Sequence, residues 1–218
     1  MKRLLVLVEG QTEETFVRDV LDPHLHAFGI VAIGTILKTK RPKSGGPFRG
    51  GVTSTAQVTA DLGRLLGDPN AVAVTAVIDY YGLPTDFPGM STRPPGEPRA
   101  RVEHVERAWA QTVNHRRFIP HLVLHEYEAW IYSDPSACAW VFDDPRLPAE
   151  LAKICQRAGE PERIDEHPDQ APSRRLTRAF PRYRKPLHGP MAVQAIGLAK
   201  VRAECPHAAA WLERIEAL

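Results

Sequence analysis

The feature that most constrains this chain is a short apolar run that stops at an acid. Leu4 to Val8 is unbroken and rich in branched side chains; Glu9-Gly10 ends it, and Gln11-Thr12-Glu13-Glu14 follows. A half-exposed strand would alternate, so a continuous run of this length suits a strand buried on both faces. Thr12 stands where a helix N-cap belongs, with Glu13 and Glu14 in the first turn, where the helix dipole favours negative charge. The stretch predicts a strand, a glycine turn and a helix, with Glu9 at the strand's carboxyl end and Glu13 just beyond. In open α/β sheets that edge is where ligands bind. Alone, the two acids are equally compatible with a strand-end charge facing water and an ordinary helix-start acid.

The pattern gains force by recurring. Ala71 to Ile78 reads AVAVTAVI and stops at Asp79, while Phe118 to Leu124, interrupted by Pro120, runs into His125-Glu126-Tyr127-Glu128. Helical stripes lie between them: Phe16, Val17, Val20, Leu21 and Leu25; then Val58, Leu62, Leu65 and Leu66; then Val102, Val105, Ala108, Trp109 and Val113. Residues 13–28, 53–66 and 99–113 are therefore expected to be helices, and residues 30–37 a further strand. This alternation predicts an α/β fold, a mostly parallel sheet flanked by helices. Right-handed crossovers then bring successive strand ends to one edge, where Glu9, Asp79 and Glu126 are expected to converge. From Pro135 onward the pattern is of short helices broken by proline, among them 147–158, one capped by Ser173, 190–202 and 206–218. The expected division is an α/β core over residues 1–135 and a helical C-terminal extension over 136–218, packed on the sheet within the same globule.

No stretch of the 218 residues approaches the roughly 18 apolar residues of a membrane span, and no cleavable leader is visible. Cys138, Cys155 and Cys205 are odd in number and widely spaced, which argues against a disulfide framework or a structural zinc site. A cytoplasmic protein without membrane contact is expected. The net charge of +2 is nearly balanced, but its distribution is uneven. Residues 38–49 carry Lys38, Lys40, Arg41, Lys43 and Arg49 with no acid, in a loop punctuated by Pro42, Gly45, Gly46 and Pro47. Residues 174–185 carry Arg174, Arg175, Arg178, Arg182, Arg184 and Lys185, again with no acid. Such tracts are either phosphate contacts on nucleic acid or solvated faces. The first is either a flap facing nucleic acid or a surface loop, and it lacks a P-loop pattern.

Converging carboxylates suit a hard divalent cation such as magnesium, which takes oxygen ligands and bridges acids to substrate phosphate. Without a cation they repel and raise one another's pKa, so such a cluster is a poor device for stability. His125 is then a ligand, a proton shuttle or a structural histidine. Tyr80, Tyr81 and Phe87 either stack on bases or pave the loop against the core. Lys185 either neutralises charge developing on a phosphate or is one more exposed lysine.

Val8-Glu9-Gly10-Gln11-Thr12-Glu13 after one apolar strand, and Asp79 after another, resemble the Toprim domain of topoisomerases, bacterial primases, small ribonucleases and OLD-type nucleases. More narrowly, EGQTEE, DYYGLPTDFPG (Asp79 to Gly89), HEYEAWIYSDP (His125 to Pro135) and IGLAKVRAECPHAAAWL look like a bacterial family of unknown function with a Toprim-like core. These pieces run from residue 9 to 212. The resemblance implies a metal-dependent nuclease-like protein acting on phosphodiester bonds, in a defence or repair system. It implies Mg2+ or Mn2+ held by Glu9, Glu13 and Asp79, with Glu9 as general acid/base or ligand. The residues themselves add Glu126 as a supporting metal acid and Lys185 as a catalytic residue. Lys40, Arg41, Lys43, Arg174, Arg175, Arg178 and Arg184 would hold nucleic acid. Tyr81 stands where the family pattern has its second aspartate, leaving Asp86, Glu126 or Glu128 to supply the missing ligand. That departure favours the alternative, a non-catalytic nucleic-acid-binding or assembly subunit partnering an ATPase.

Overall fold

The computed structural model describes residues 1–38, 52, 54–164, 167 and 169–218. Among these, four strands form one all-parallel sheet in the order β2-β1-β3-β4: β1 Lys2–Val8, β2 Ile30–Ile36, β3 Ala71–Val77 and β4 Phe118–Ile119. Ten α-helical segments accompany it. They are α1 Gln11–Phe16, α2 Asp22–Leu25, α3 Thr55–Leu66, α4 Pro98–Val113, α5 Ala139–Phe142, α6 Leu147–Ala158, α7 Pro172–Ala179, α8 Lys185–Ile196, α9 Leu198–Glu204 and α10 Pro206–Glu216. A π turn over Val17–Leu21 joins α1 to α2, so residues 11–28 wind almost continuously, as the stripe from Phe16 to Leu25 requires.

The two faces of the central strand show why its apolar run is unbroken. Leu4, Val6 and Val8 pack with Phe16, Val17 and the C-terminal helices, through Val193, Trp211 and Leu212. Leu5 and Leu7 pack on the opposite side with Val58 and Leu62 of α3 and Val105 and Trp109 of α4. Each face is therefore a core, and the one polar side chain in β3, Thr75, is buried with its hydroxyl donating to the Ile119 carbonyl and accepting from Trp211 Nε1. The C-terminal helices share one face of the sheet with α1 and α2. Phe87, expected either to stack on bases or to pave the core, is 2% exposed and packs edge-on against Trp109 at 5.1 Å.

Several boundaries differ from the sequence pattern, each for a local reason. Helix α1 begins at Gln11, with Gly10 rather than Thr12 as the extended N-cap. The side chain of Glu13, at N3, reaches back to accept from the Gly10 N–H at 3.0 Å, the half of a capping box that a glutamate supplies. The third apolar run is a strand only at Phe118–Ile119; past Pro120 the pairing resumes as a bridge between Val123 and Asp79. Ser173 lies inside α7 rather than at its cap. The helix expected over 190–202 starts earlier, at Lys185, and breaks at Gly197, whose φ of +81° only glycine adopts readily.

Candidate functional site

The strand order places a topological switch between β1 and β3: from β1 the chain goes out to β2 on one side, then crosses back to β3 on the other. Crevices at the carboxyl ends of strands at such a point accept ligands. Glu9 and Asp79 leave β1 and β3 at that crevice. The Glu9 N–H continues the ladder to Val77 at 3.3 Å, and its Oε2 accepts from the Asp79 N–H at 3.3 Å. The two acids are thus direct neighbours, although 70 residues separate them.

Lys185, at the start of α8, extends its ammonium into the same rim. Its Nζ lies 3.0 Å from Asp79 Oδ2, 3.3 Å from Glu128 Oε2 and 3.7 Å from Glu13 Oε1. Gly189, one turn along α8, makes the approach possible. A Cβ there would meet the Tyr183 hydroxyl at 3.2 Å, Thr12 Cγ2 at 3.3 Å and the Tyr127 ring at 3.4 Å. Asp79 is fixed from the other side as well, because its Oδ1 accepts from the Tyr127 N–H at 2.8 Å. Glu128 Oε1 accepts from the Tyr183 hydroxyl at 3.2 Å.

Three carboxylates therefore share one lysine, and Glu9 adjoins them through the Asp79 N–H. Glu13, Asp79 and Glu128 are all buried. Burial, then the charge of Asp79, pushes the Glu9 carboxyl up to about 8, although Lys185 pulls it the other way. Burial likewise lifts Glu13 to about 7 against the opposing pull of Lys185. Burial also works against the charge on Lys185, but Asp79, Glu128, Glu13 and Glu9 together hold its ammonium well above the usual range. Two oxygens, Glu13 Oε1 and Glu128 Oε2, are buried and have no hydrogen-bond partner among the described residues; they face only the lysine.

Glu126 is placed differently from its neighbour two residues on. Its carboxylate accepts from the Ser173 N–H at 2.9 Å and the Ser173 hydroxyl at 3.0 Å, at the first turn of α7. Burial and then the nearby Glu128 charge raise its pKa, while Ser173 lowers it. The backbone explains the exchange. His125 takes a left-handed φ of +66°, which turns the chain into the 3-10 helix Tyr127–Ser133 and sends Glu128, a first-turn acid like Glu13, into the rim. In the sequence Glu128 is only one of three candidates for the missing ligand, because the 3-10 turn that orients it leaves no periodic pattern. Asp86 accepts from the Thr55 hydroxyl at 2.7 Å on an exposed loop instead. His125 is buried, with its Nε2 at 3.0 Å from the Glu162 carbonyl. Tyr80 is also buried, with its hydroxyl accepting from Arg93 at 2.9 Å, whereas Tyr81 is 36% exposed.

Of the basic residues, Arg174, Arg178 and Arg184 are exposed. Arg175 is half-buried and donates from Nε to the Gln170 carbonyl at 2.7 Å. Arg174 directly follows Ser173, which binds Glu126, and Arg184 directly precedes Lys185. Lys40, Arg41 and Lys43 lie outside the described residues. No helix among the described residues is long and apolar enough to cross a membrane.

A search of curated proteins found no match. Among solved structures, the chain is similar to the C-terminal region of the Burkholderia pseudomallei OLD protein, at 17% identity and a TM-score of 0.44, over 99% of each chain. A family model described as "Domain of unknown function (DUF4276)" matches residues 8–216, nearly the whole chain, and the protein therefore belongs to that family.

Proposed function

We propose that this protein is a Mg2+- or Mn2+-dependent enzyme that cleaves phosphodiester bonds in nucleic acid, working in the cytoplasm. The observation that carries this reading is the rim itself, where Glu9, Glu13, Asp79 and Glu128 crowd one lysine at the sheet's switch point. An excess of acid there costs stability, and a bound cation removes that cost. The donor set fits such an ion: it is all oxygen, and the bare Glu13 Oε1 and Glu128 Oε2 are atoms that hydrogen bonding leaves unused. Glu9, Glu13, Asp79 and Glu128 would hold the ion, with Glu128 in the place that the sequence pattern gives to Glu126. A cation held there polarises a phosphoryl oxygen and favours attack on phosphorus.

The chain's own groups supply the rest. Without a cation the Glu9 carboxyl is raised to about 8, and taking up the ion would release its proton and leave Glu9 as a charged ligand. Lys185 keeps one fixed positive charge at the rim, where a phosphate would enter. Arg174, Arg178 and Arg184, exposed and near Ser173 and Lys185 in sequence, suit the nucleic-acid backbone, and Lys40, Arg41 and Lys43 complete the basic set in the sequence. Residues 1–135 would form the Toprim-like core, with 136–218 as an extension that delivers Lys185. The motifs EGQTEE and DYYGLPTDFPG support the same reading.

A second reading is a non-catalytic binding or assembly subunit that partners an ATPase. Tyr81 favours it, because it is partly exposed and occupies the place of the second aspartate. The deciding experiment is nicking of supercoiled plasmid with Mn2+ or Mg2+. Parent protein is expected to nick, and Asp79→Asn to lose the activity. Equal nicking by parent and Asp79→Asn would refute the enzyme assignment; no nicking, with tight binding of an ATPase partner, would favour the second reading.

A further inference from the structure

A second group of metal-type side chains lies in the interior. Glu106 from α4, His121 just after β4 and His207 at the start of α10 are 8%, 1% and 4% exposed. Each offers a donor atom within 4.8 Å of the others. Glu106 Oε1 is 3.0 Å from His207 Nε2 and 3.6 Å from His121 Nδ1, and the Leu122 carbonyl is 3.2 Å from the same His207 nitrogen. A tetrahedral zinc with bonds of about 2.0–2.1 Å separates its ligands by roughly 3.3–3.4 Å. The three measured separations fall around that value.

Hydrogen bonding accounts for this group incompletely. Both oxygens near His207 Nε2 are acceptors, so one imidazole proton is divided between them. The 3.6 Å between His121 Nδ1 and Glu106 is too long for a hydrogen bond. The other nitrogen of that ring, Nε2, is buried with no partner among the described residues. A histidine placed only for packing would need neither nitrogen, yet the His121 ring is held flat against Trp211, at 4.4 Å and 7°, with Nδ1 on the Glu106 side.

We propose that Glu106, His121 and His207, with the Leu122 carbonyl as a fourth donor, form a closed structural site for zinc or a similar transition metal ion. The cation takes the place of the proton that His207 now divides between two oxygens. Two imidazoles and two oxygens favour zinc over magnesium, which prefers oxygen alone. The surroundings already orient the ligands: the Leu122 N–H donates to Glu106 Oε1 at 2.7 Å, and Glu162 accepts from the His207 N–H at 2.8 Å and the Ala208 N–H at 3.0 Å. Such an ion would pin α10 to α4 and the end of β4, from which it is distant along the chain. The cysteine spacing gave no sign of zinc because these ligands are imidazole and carboxylate, not thiolate.

The test uses the whole 218-residue chain, expressed with added zinc, dialysed against metal-free buffer and assayed for metal content. About one zinc per chain is expected. Loading with Co2+ in place of zinc should give the visible absorption of a four-coordinate ion, lost in His207→Gln and kept in Asp79→Asn, which separates this site from the rim. Should His207→Gln fail to fold, X-ray absorption on the parent protein decides, by showing or lacking scattering from two imidazoles. Zinc at trace level in folded parent protein, absence of imidazole scattering, or a cobalt band lost in Asp79→Asn but kept in His207→Gln would each overturn the proposal.

Discussion

The rim and the interior nest use similar side chains to opposite effect. At the rim three carboxylates meet one ammonium with Glu9 beside them, and two buried oxygens have no hydrogen bond among the described residues. In the nest one carboxylate meets two imidazoles, and Glu106 Oε1 already accepts from a backbone N–H. The rim has an excess of negative charge within reach of solvent, through a lysine whose side chain is 35% exposed. The nest is enclosed and nearly balanced. An open, oxygen-only site with surplus charge suits a hard ion that arrives and leaves with substrate. A sealed, mixed N/O site suits an ion acquired once, on folding. What separates the two is therefore the balance of charge and the path to water, more than the residue types.

The sharpest way to break the comparison is Lys185→Met. Removing one partner of a buried ion pair costs about 3–5 kcal/mol, and the partial exposure of this lysine reduces that to roughly 1–3 kcal/mol. The metal-free variant is expected to melt several degrees below the parent, and Mn2+ should recover most of the loss by standing in for the ammonium. Thermal melts with and without Mn2+ check this. A variant that melts with the parent and ignores Mn2+ would mean that the rim has no surplus charge to neutralise.

A smaller effect, of opposite sign, is expected for Glu9→Gln. In the folded chain the Glu9 carboxyl is raised from 4.5 to about 8, so folding favours its protonated form. The stability this confers is complete below the ordinary carboxylate pKa and is lost as pH rises through about 8. Glu9→Gln should therefore match the parent near pH 4 and exceed it at pH 9. A gain of about 1 kcal/mol would raise Tm by roughly 2–4 °C in a chain of this size. Melts across that pH range without metal are the check. A variant less stable than the parent at pH 9 would show that Glu9 is a structural acid.

Much of the rim was legible in the sequence, for a definite reason. Leu4–Val8 and Ala73–Ile78 are buried on both faces, so their apolar runs end sharply and mark Glu9 and Asp79 as strand ends. The third run misled because Pro120 cuts the strand to two residues and the left-handed His125 turns the chain before Glu126 reaches the edge. Neither the turn nor the resulting swap of Glu126 for Glu128 leaves a periodic trace. The nest was invisible for a related reason: Glu106, His121 and His207 each look like a single polar residue among apolar neighbours. Only the packing of α10 against α4 brings them together.

The finest test of where the rim ends is Ser173→Ala, which concerns two glutamates only two residues apart. Ser173 engages both oxygens of Glu126, through its N–H and its hydroxyl, and so holds that carboxylate at the start of α7. Alanine keeps the N–H and removes the hydroxyl, at an expected cost of about 0.5–1.5 kcal/mol. If Glu126 belongs to the α7 contact alone, Mn2+ affinity measured by calorimetry should not change in Ser173→Ala, while Glu128→Gln should weaken it clearly. If freeing Glu126 instead tightens Mn2+ binding, the rim has a fifth acid held in reserve by a hydroxyl. The boundary between the metal-facing acids and the acids that organise the C-terminal helices would then have to be redrawn to include α7.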